Sequence, residues 1–155
     1  MTLAHRKRPR IGDVIEVATP KGLAYAQFTH KHDAPPRYGP LIRVLPGSYE
    51  KRPDSFGELV LQKERFFVFF PLGAACARGL VRIVANKAIP EWARSFPILR
   101  SEAYEGPSWY LWDGRRKWRV FQLTAEERGY SPIAIWNDTL LIERIVDGWS
   151  PADEP

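Results

Sequence analysis

Histidine, cysteine and methionine are scarce in this chain: three histidines, one cysteine and one methionine among 155 residues. A lone Cys76 excludes an intramolecular disulfide and fits a reducing compartment, because a leftover thiol is a liability outside the cell. Three histidines, one of them His5 close to the start, are too few for the imidazole-rich centres of metal-dependent hydrolases, which take three or four protein ligands. Long apolar runs are also missing. The longest nearly uncharged stretch, 66–77, is too short to cross a bilayer and is broken by Pro71 and Gly73. The basic cluster Arg6-Lys7-Arg8-Pro9-Arg10 is followed by no apolar segment, so it does not read as a signal peptide, and the cytoplasm is the expected compartment.

The charge that is present is unevenly placed. The net charge is +5. Residues 1–10 carry four bases and no acid, the middle of the chain is basic, and residues 137–155 carry one base against five acids. Such polarity steers a partner more readily than it builds a continuous nucleic-acid groove. Length and composition, 45% apolar and 26% charged, describe one soluble domain able to bury its own core. The expected organisation is a disordered basic arm over 1–10, a single β-rich domain over 11–149 and a polar tail over 150–155.

Most of the domain reads as short strands. Residues 13–18 and 23–29 flank Thr19-Pro20-Lys21-Gly22 and predict a hairpin. Residues 31–38 read as a proline-bearing loop, 41–45 as a strand, 48–56 as a charged loop, and 59–62 and 66–70 as strands. Arg65-Phe66-Phe67-Val68-Phe69-Phe70-Pro71 is apolar on both faces, which predicts a central strand. The small-residue connection 72–79 would join it to a neighbouring strand over 80–86, with Arg82 facing solvent or a partner. Residues 90–96 suggest one helical turn and 101–108 a loop. Residues 109–112 and 118–123 predict strands about the Asp113-Gly114 turn signal. Thr124-Ala125-Glu126-Glu127 has capping-box spacing, and 130–136 returns to strand. Asn137 is an N-cap for a helix whose apolar face is Leu141, Ile142, Ile145, Val146 and Trp149, stopped at Gly148. The predicted class is α+β and β-dominated: a curled antiparallel sheet or small, partly open barrel, with a C-terminal helix.

No constellation in these elements points to catalysis. His30-Lys31-His32-Asp33 offers two imidazoles two residues apart, too few for zinc, and reads as a solvated loop. Cys76, among small residues, reads as a buried small hydrophobe and not as a thiol nucleophile. Gly73 and Gly79 frame Arg78 without a dinucleotide or Walker fingerprint, so tight packing explains them. Glu126-Glu127 is accounted for by helix capping, and Glu102 and Glu105 by an exposed loop. No catalytic, cofactor or metal residue is assigned. Six tryptophans remain, with arginines among them. Trp112-Asp113-Gly114-Arg115-Arg116-Lys117-Trp118 joins indoles to a basic tip, a mixture found at interface hot spots and on single-stranded nucleic-acid platforms as well as in ordinary cores.

Gly12-Asp13-Val14-Ile15-Glu16-Val17 with Gly22-Leu23-Ala24-Tyr25-Ala26-Gln27 resembles the opening of a bacterial family, the one numbered twenty-six among the immunity proteins of polymorphic toxin systems. Phe70-Pro71-Leu72-Gly73-Ala74-Ala75 and Pro97-Ile98-Leu99-Arg100 resemble its middle, and Trp136-Asn137 with Glu143-Arg144-Ile145 its end, so the likeness spans 11–149. The resemblance implies a non-enzymatic protein that binds a cognate toxin in the bacterial cytoplasm and neutralises it by occlusion. Some relatives carry an organophosphate-hydrolase label, for which this chain lacks the histidine cluster. The chain is not acidic, so the resemblance implies a toxin other than a basic nuclease, or engagement through the acidic C-terminal end alone. Expected partner-binding residues are Trp92, Arg94, Trp112, Arg115 and Arg116. The alternative is a nucleic-acid-binding module using the N-terminal arm and the Arg115-Arg116-Lys117 tip; a small-molecule hydrolase ranks last.

Overall fold

Alternating apolar residues build the larger of two sheets in the computed structural model, which describes residues 8–154. His5 and most of the arm expected over 1–10 lie outside the described residues. Strands β1 (Asp13–Thr19), β2 (Gly22–His32), β3 (Gly39–Val44), β4 (Phe66–Phe69) and β5 (Arg82–Asn86) run in the order β4-β3-β2-β1-β5, each neighbouring pair antiparallel. A smaller antiparallel sheet contains β6 (Leu99–Glu102), β7 (Trp109–Trp112) and β8 (Lys117–Val120) in sequence order. Three short helices complete the fold: α1 (Leu72–Ala77), α2 (Ala125–Arg128) and α3 (Asp138–Val146). The architecture is β-dominated and is not a closed barrel.

The predicted first hairpin is present, with Thr19 opposite Gly22 and the Thr19 hydroxyl donating to the Gly22 carbonyl at 2.7 Å. The Thr124 capping box and the Asn137 cap also form, Asn137 Oδ1 accepting from the Leu140 amide at 2.8 Å. Gly148, at φ +68°, lets the chain turn back after α3 and drops Trp149 into the core. There Trp149 meets Phe66 and Trp136 edge to face, with ring centroids 5.0 and 5.1 Å away. These rings, with Ile15, Phe28, Ile42 and Leu141, form the main core on one face of the large sheet. Cys76 is buried in the same cluster, as expected for a small apolar residue.

Five expectations are corrected. The strand at 66–70 is not central but forms the border of its sheet. Its double-sided apolar pattern arises because Phe66 and Val68 face the main core while Phe69 faces a second cluster with Leu41, Leu99 and Trp112. Its outer edge is covered by the chain at 134–136: Phe69 N–H donates to Ala134 O at 3.1 Å, and Trp136 N–H to Phe69 O at 3.0 Å. That edge-covering segment, predicted as a strand over 130–136, makes only isolated parallel bridges at Ile135 and Pro132. The strand expected at 59–62 is a 3-10 turn, Leu59–Leu61, where two consecutive buried residues break the period-two pattern. Finally, β4 and β5 are not neighbours. They lie at opposite borders of the sheet, and 72–79 contains a helix that crosses over the sheet between them. The loop expected over 101–108 begins two residues later, since Ser101 and Glu102 end β6.

Candidate functional site

On β3 the residues Leu41, Ile42, Arg43 and Val44 alternate between faces, and Arg43 falls beside Leu41 on the face away from the main core. That face holds two apolar clusters. One gathers Leu41, Phe69, Leu99 and Trp112; the other gathers Val14, Tyr25, Leu45, Phe56 and Leu59. Arg43 lies on β3 between Leu41 and Leu45, with none of its surface exposed. Its guanidinium donates to Gln27 Oε1 at 2.9 Å, to Gln62 O and Glu64 Oε1 at 3.1 Å each, and to Val60 O by a shorter bond. Burial pulls the Arg43 guanidinium below its ordinary value, and the hydrogen bond to Glu64 works in the opposite direction.

Glu64 carries this network to the surface. Its side chain is 6% exposed, and Lys63 Nζ approaches its Oε2 at 3.2 Å. Trp92 Nε1–H donates to Glu64 Oε1 at 3.3 Å. Gln27, Arg43, Glu64 and Trp92 thus form one connected polar chain from the sheet interior to an indole that is 46% exposed. Trp92 sits on the 3-10 turn Glu91–Ala93, introduced by Pro90, which matches the helical turn expected at 90–96. It borders a cleft of about 340 Å³ together with Glu64, Arg65, Pro97, Glu126 and Tyr130.

A second cleft, about 320 Å³, opens between the β2–β3 loop and the β7–β8 turn; His32, Pro35, Tyr38, Trp112, Arg115 and Ile133 are among its lining residues. The segment 95–98 serves both clefts. Ser95, Pro97 and Ile98 line the first, whereas Phe96 packs against the rings of His30 and Trp112, both at 5.3 Å. The Phe96 ring also lies against the turn backbone, since a Cβ on Gly114 would stand 2.8 Å from its atoms.

The expected partner-binding residues therefore divide. Trp92 is exposed at the first cleft; Trp112 and Arg115 line the second. Arg94 is exposed, with Nε donating to Ile89 O at 3.1 Å, and its carbonyl accepts from His30 Nε2 at 2.8 Å. Arg115 and Arg116 are exposed at the turn, where their amides donate to Asp113 Oδ1 at 2.9 and 2.7 Å. These bonds, the one from Arg116 foremost, hold the Asp113 carboxyl below its usual range. The expectation of an exposed Trp112 is corrected: it is 7% exposed, because Tyr38, Phe69 and Phe96 surround it.

His30 and His32 are corrected too. They are half-buried at the end of β2, not in a solvated loop, and pack on Phe96 and Trp112. Burial pushes His30 below its ordinary value against the opposing effect of the Arg94 carbonyl. Among the described residues no group of three His, Cys, Asp or Glu side chains is arranged to hold a metal ion. Glu127 is committed to the capping box, its Oε1 accepting from the Thr124 amide at 2.9 Å.

Sequence reasoning missed Arg43, Glu64 and Arg100. The available signal was a charge inside Leu41-Ile42-Arg43-Val44-Leu45, in phase with two buried leucines. Arg100 is likewise buried; it donates to the carbonyls of Tyr130 and Pro151 at 2.9 and 2.6 Å and stands 5.2 Å from the Trp109 ring centroid. In this way it ties down Pro151, within the stretch expected as a polar tail over 150–155.

A third polar group shares the face with Val14 and Tyr25. Glu16 accepts from Arg52 Nε and Nη2 at 2.8 and 2.9 Å and from the Tyr25 hydroxyl at 2.9 Å. The Arg52 bond, then the Tyr25 bond, hold the Glu16 carboxyl below its usual range, while burial and the Glu16 charge push the Tyr25 phenol upward. A depressed acid stabilises the fold fully above its unfolded value, and that contribution disappears as pH falls through the folded one. Glu16→Gln should therefore flatten the acid limb of the stability–pH curve by about 1 kcal/mol, read from urea midpoints between neutral and acid pH. An unchanged acid limb would contradict the assignment.

A comparison with protein-family models returned no match for this chain, and neither did comparisons with curated proteins and with solved structures. Among the described residues no helix is long and apolar enough to cross a membrane.

Proposed function

We propose that this chain is a non-enzymatic, immunity-type domain that binds a cognate bacterial protein toxin and blocks it by occlusion, in the cytoplasm of the producing cell. The observation that carries this reading is Trp92: a large indole, 46% exposed, tethered by its N–H to a nearly buried carboxylate beside a cleft. An aromatic anchor already held in place loses little conformational freedom on association, and tryptophan is enriched among residues that dominate interface energies. Arg94, two residues on, adds an exposed guanidinium beside it.

The competing reading, a nucleic-acid module at the Arg115-Arg116-Lys117 tip, needs aromatic faces on which bases can stack. Trp112 is buried and Trp118 half-buried, which favours the protein reading. The direct test is co-expression of the wild-type chain with the toxin encoded beside it. Rescue of growth and co-purification of the pair are expected; equal killing with and without this chain would end the proposal.

A further inference from the structure

We propose that the second cleft, between the β2–β3 loop and the β7–β8 turn, docks an acidic segment of a protein partner that inserts one large apolar side chain. The proposal rests on the protein-binding reading above and names the chemistry the partner must present.

The floor of the cleft is built largely from apolar rings and side chains. Tyr38, Trp112 and Ile133 line it, Pro35 and Pro36 form a wall, and the His32 ring meets Trp112 edge-on at 4.8 Å. About 320 Å³ of concave space lined this way accommodates a single large side chain. The rim is basic. Arg115 and Lys117 line it, with Arg116 exposed on the same turn and Arg37 exposed in the facing loop.

The acids near this rim are engaged. Asp113 accepts from the two turn amides, and Asp33 lies 4.0 Å from Lys31. Among the described residues Arg37, Arg115, Arg116 and Lys117 have no carboxylate within salt-bridge distance. Two cations lining an apolar hollow, with Arg116 and Arg37 exposed on the turn and the loop that flank it, complement a segment that is acidic at its flanks and apolar at its centre, which speeds encounter and fixes register. A nucleic acid is the poorer fit, because the hollow has room for about one large group and its lining presents no run of open ring faces for successive bases.

The test uses the full chain and a short peptide of aspartates around one central phenylalanine, followed by NMR shifts of the Trp112 indole and the His32 ring and by anisotropy. Saturable shifts at these two rings are expected. Replacing the peptide phenylalanine with alanine should weaken binding about tenfold, and Arg115→Glu with Lys117→Glu should do so by at least that factor. Arg78→Glu, an exposed change at the end of α1 over the opposite face, should leave peptide affinity unaltered. No shift at the two rings, equal binding of a lysine-flanked peptide, or indifference to the double reversal would overturn the proposal. So would an oligothymidylate that displaces the peptide and binds more tightly. Failure of the wild-type chain to protect against its toxin would sink the functional reading but not a positive peptide result. Toxin capture that persists with the doubly reversed variant would sink the cleft alone.

Discussion

Arg43→Met is expected to lose about 3–5 kcal/mol of folding stability, the cost of leaving a buried charge and its partners without the group that neutralised them. Methionine fills much of the volume but donates nothing. Gln27 Oε1, Val60 O, Gln62 O and Glu64 Oε1 would all lose a donor at once. Glu64 would keep Lys63 at Oε2 and the Trp92 N–H at Oε1, but its Oε1 would lose the only cation that reaches it from the sheet interior. Urea unfolding should show the midpoint falling with little change in slope. Adding Glu64→Gln to the variant removes the stranded carboxylate and should recover part of the loss. A single variant within about 1 kcal/mol of wild type, or a double variant no better than the single, would show that the buried guanidinium contributes little to folding stability.

On the proposed toxin-binding function, Trp92→Ala is expected to weaken binding of that partner by about 2–4 kcal/mol, roughly 30- to 1000-fold in affinity, with most of the change in the dissociation rate. Folding stability should move much less, because nearly half of the indole is already in water and Arg43 keeps its hold on Glu64. Trp92→Phe separates two contributions. It keeps a ring to bury but removes the N–H that ties the side chain to Glu64, so an intermediate loss is expected. The measurements are toxin affinity by surface plasmon resonance and the urea midpoint of the same samples. An alanine variant that binds within about twofold of wild type would remove Trp92 from the interface.

Much of the fold was legible because it depends on neighbours in the chain. The first hairpin, the Asp113-Gly114 turn, the Thr124 box, the Asn137 cap and the Gly148 stop are all set within a few residues, and each forms as expected. What was not legible depends on distant segments. Phe66 to Phe69 are apolar on both faces, and that pattern reports which faces are covered, not which edges are paired. The edge at β4 is completed by 134–136, some seventy residues away, through carbonyls and amides that leave no mark on side-chain periodicity. The candidate site shows the same division. Trp92 and the basic tip could be picked out by residue type, whereas the polar chain from Gln27 to Glu64 required knowing that a turn at Leu59–Leu61 brings its carbonyls over β3.

The crossover from β4 to β5 also governs how the molecule can be made. As the chain leaves the ribosome, β1 to β4 emerge in the order in which they pair, so a four-stranded meander is available early. The far side of β1 stays bare until residues 82–86 arrive, because its second partner is the last strand of the sheet to be synthesised. During that interval an open row of amides and carbonyls is offered to any neighbouring nascent chain. Fragments ending before Arg82 should scatter light at concentrations where fragments reaching Asn86 remain dispersed, so α1 sets the length of the vulnerable window as well as the path of the backbone.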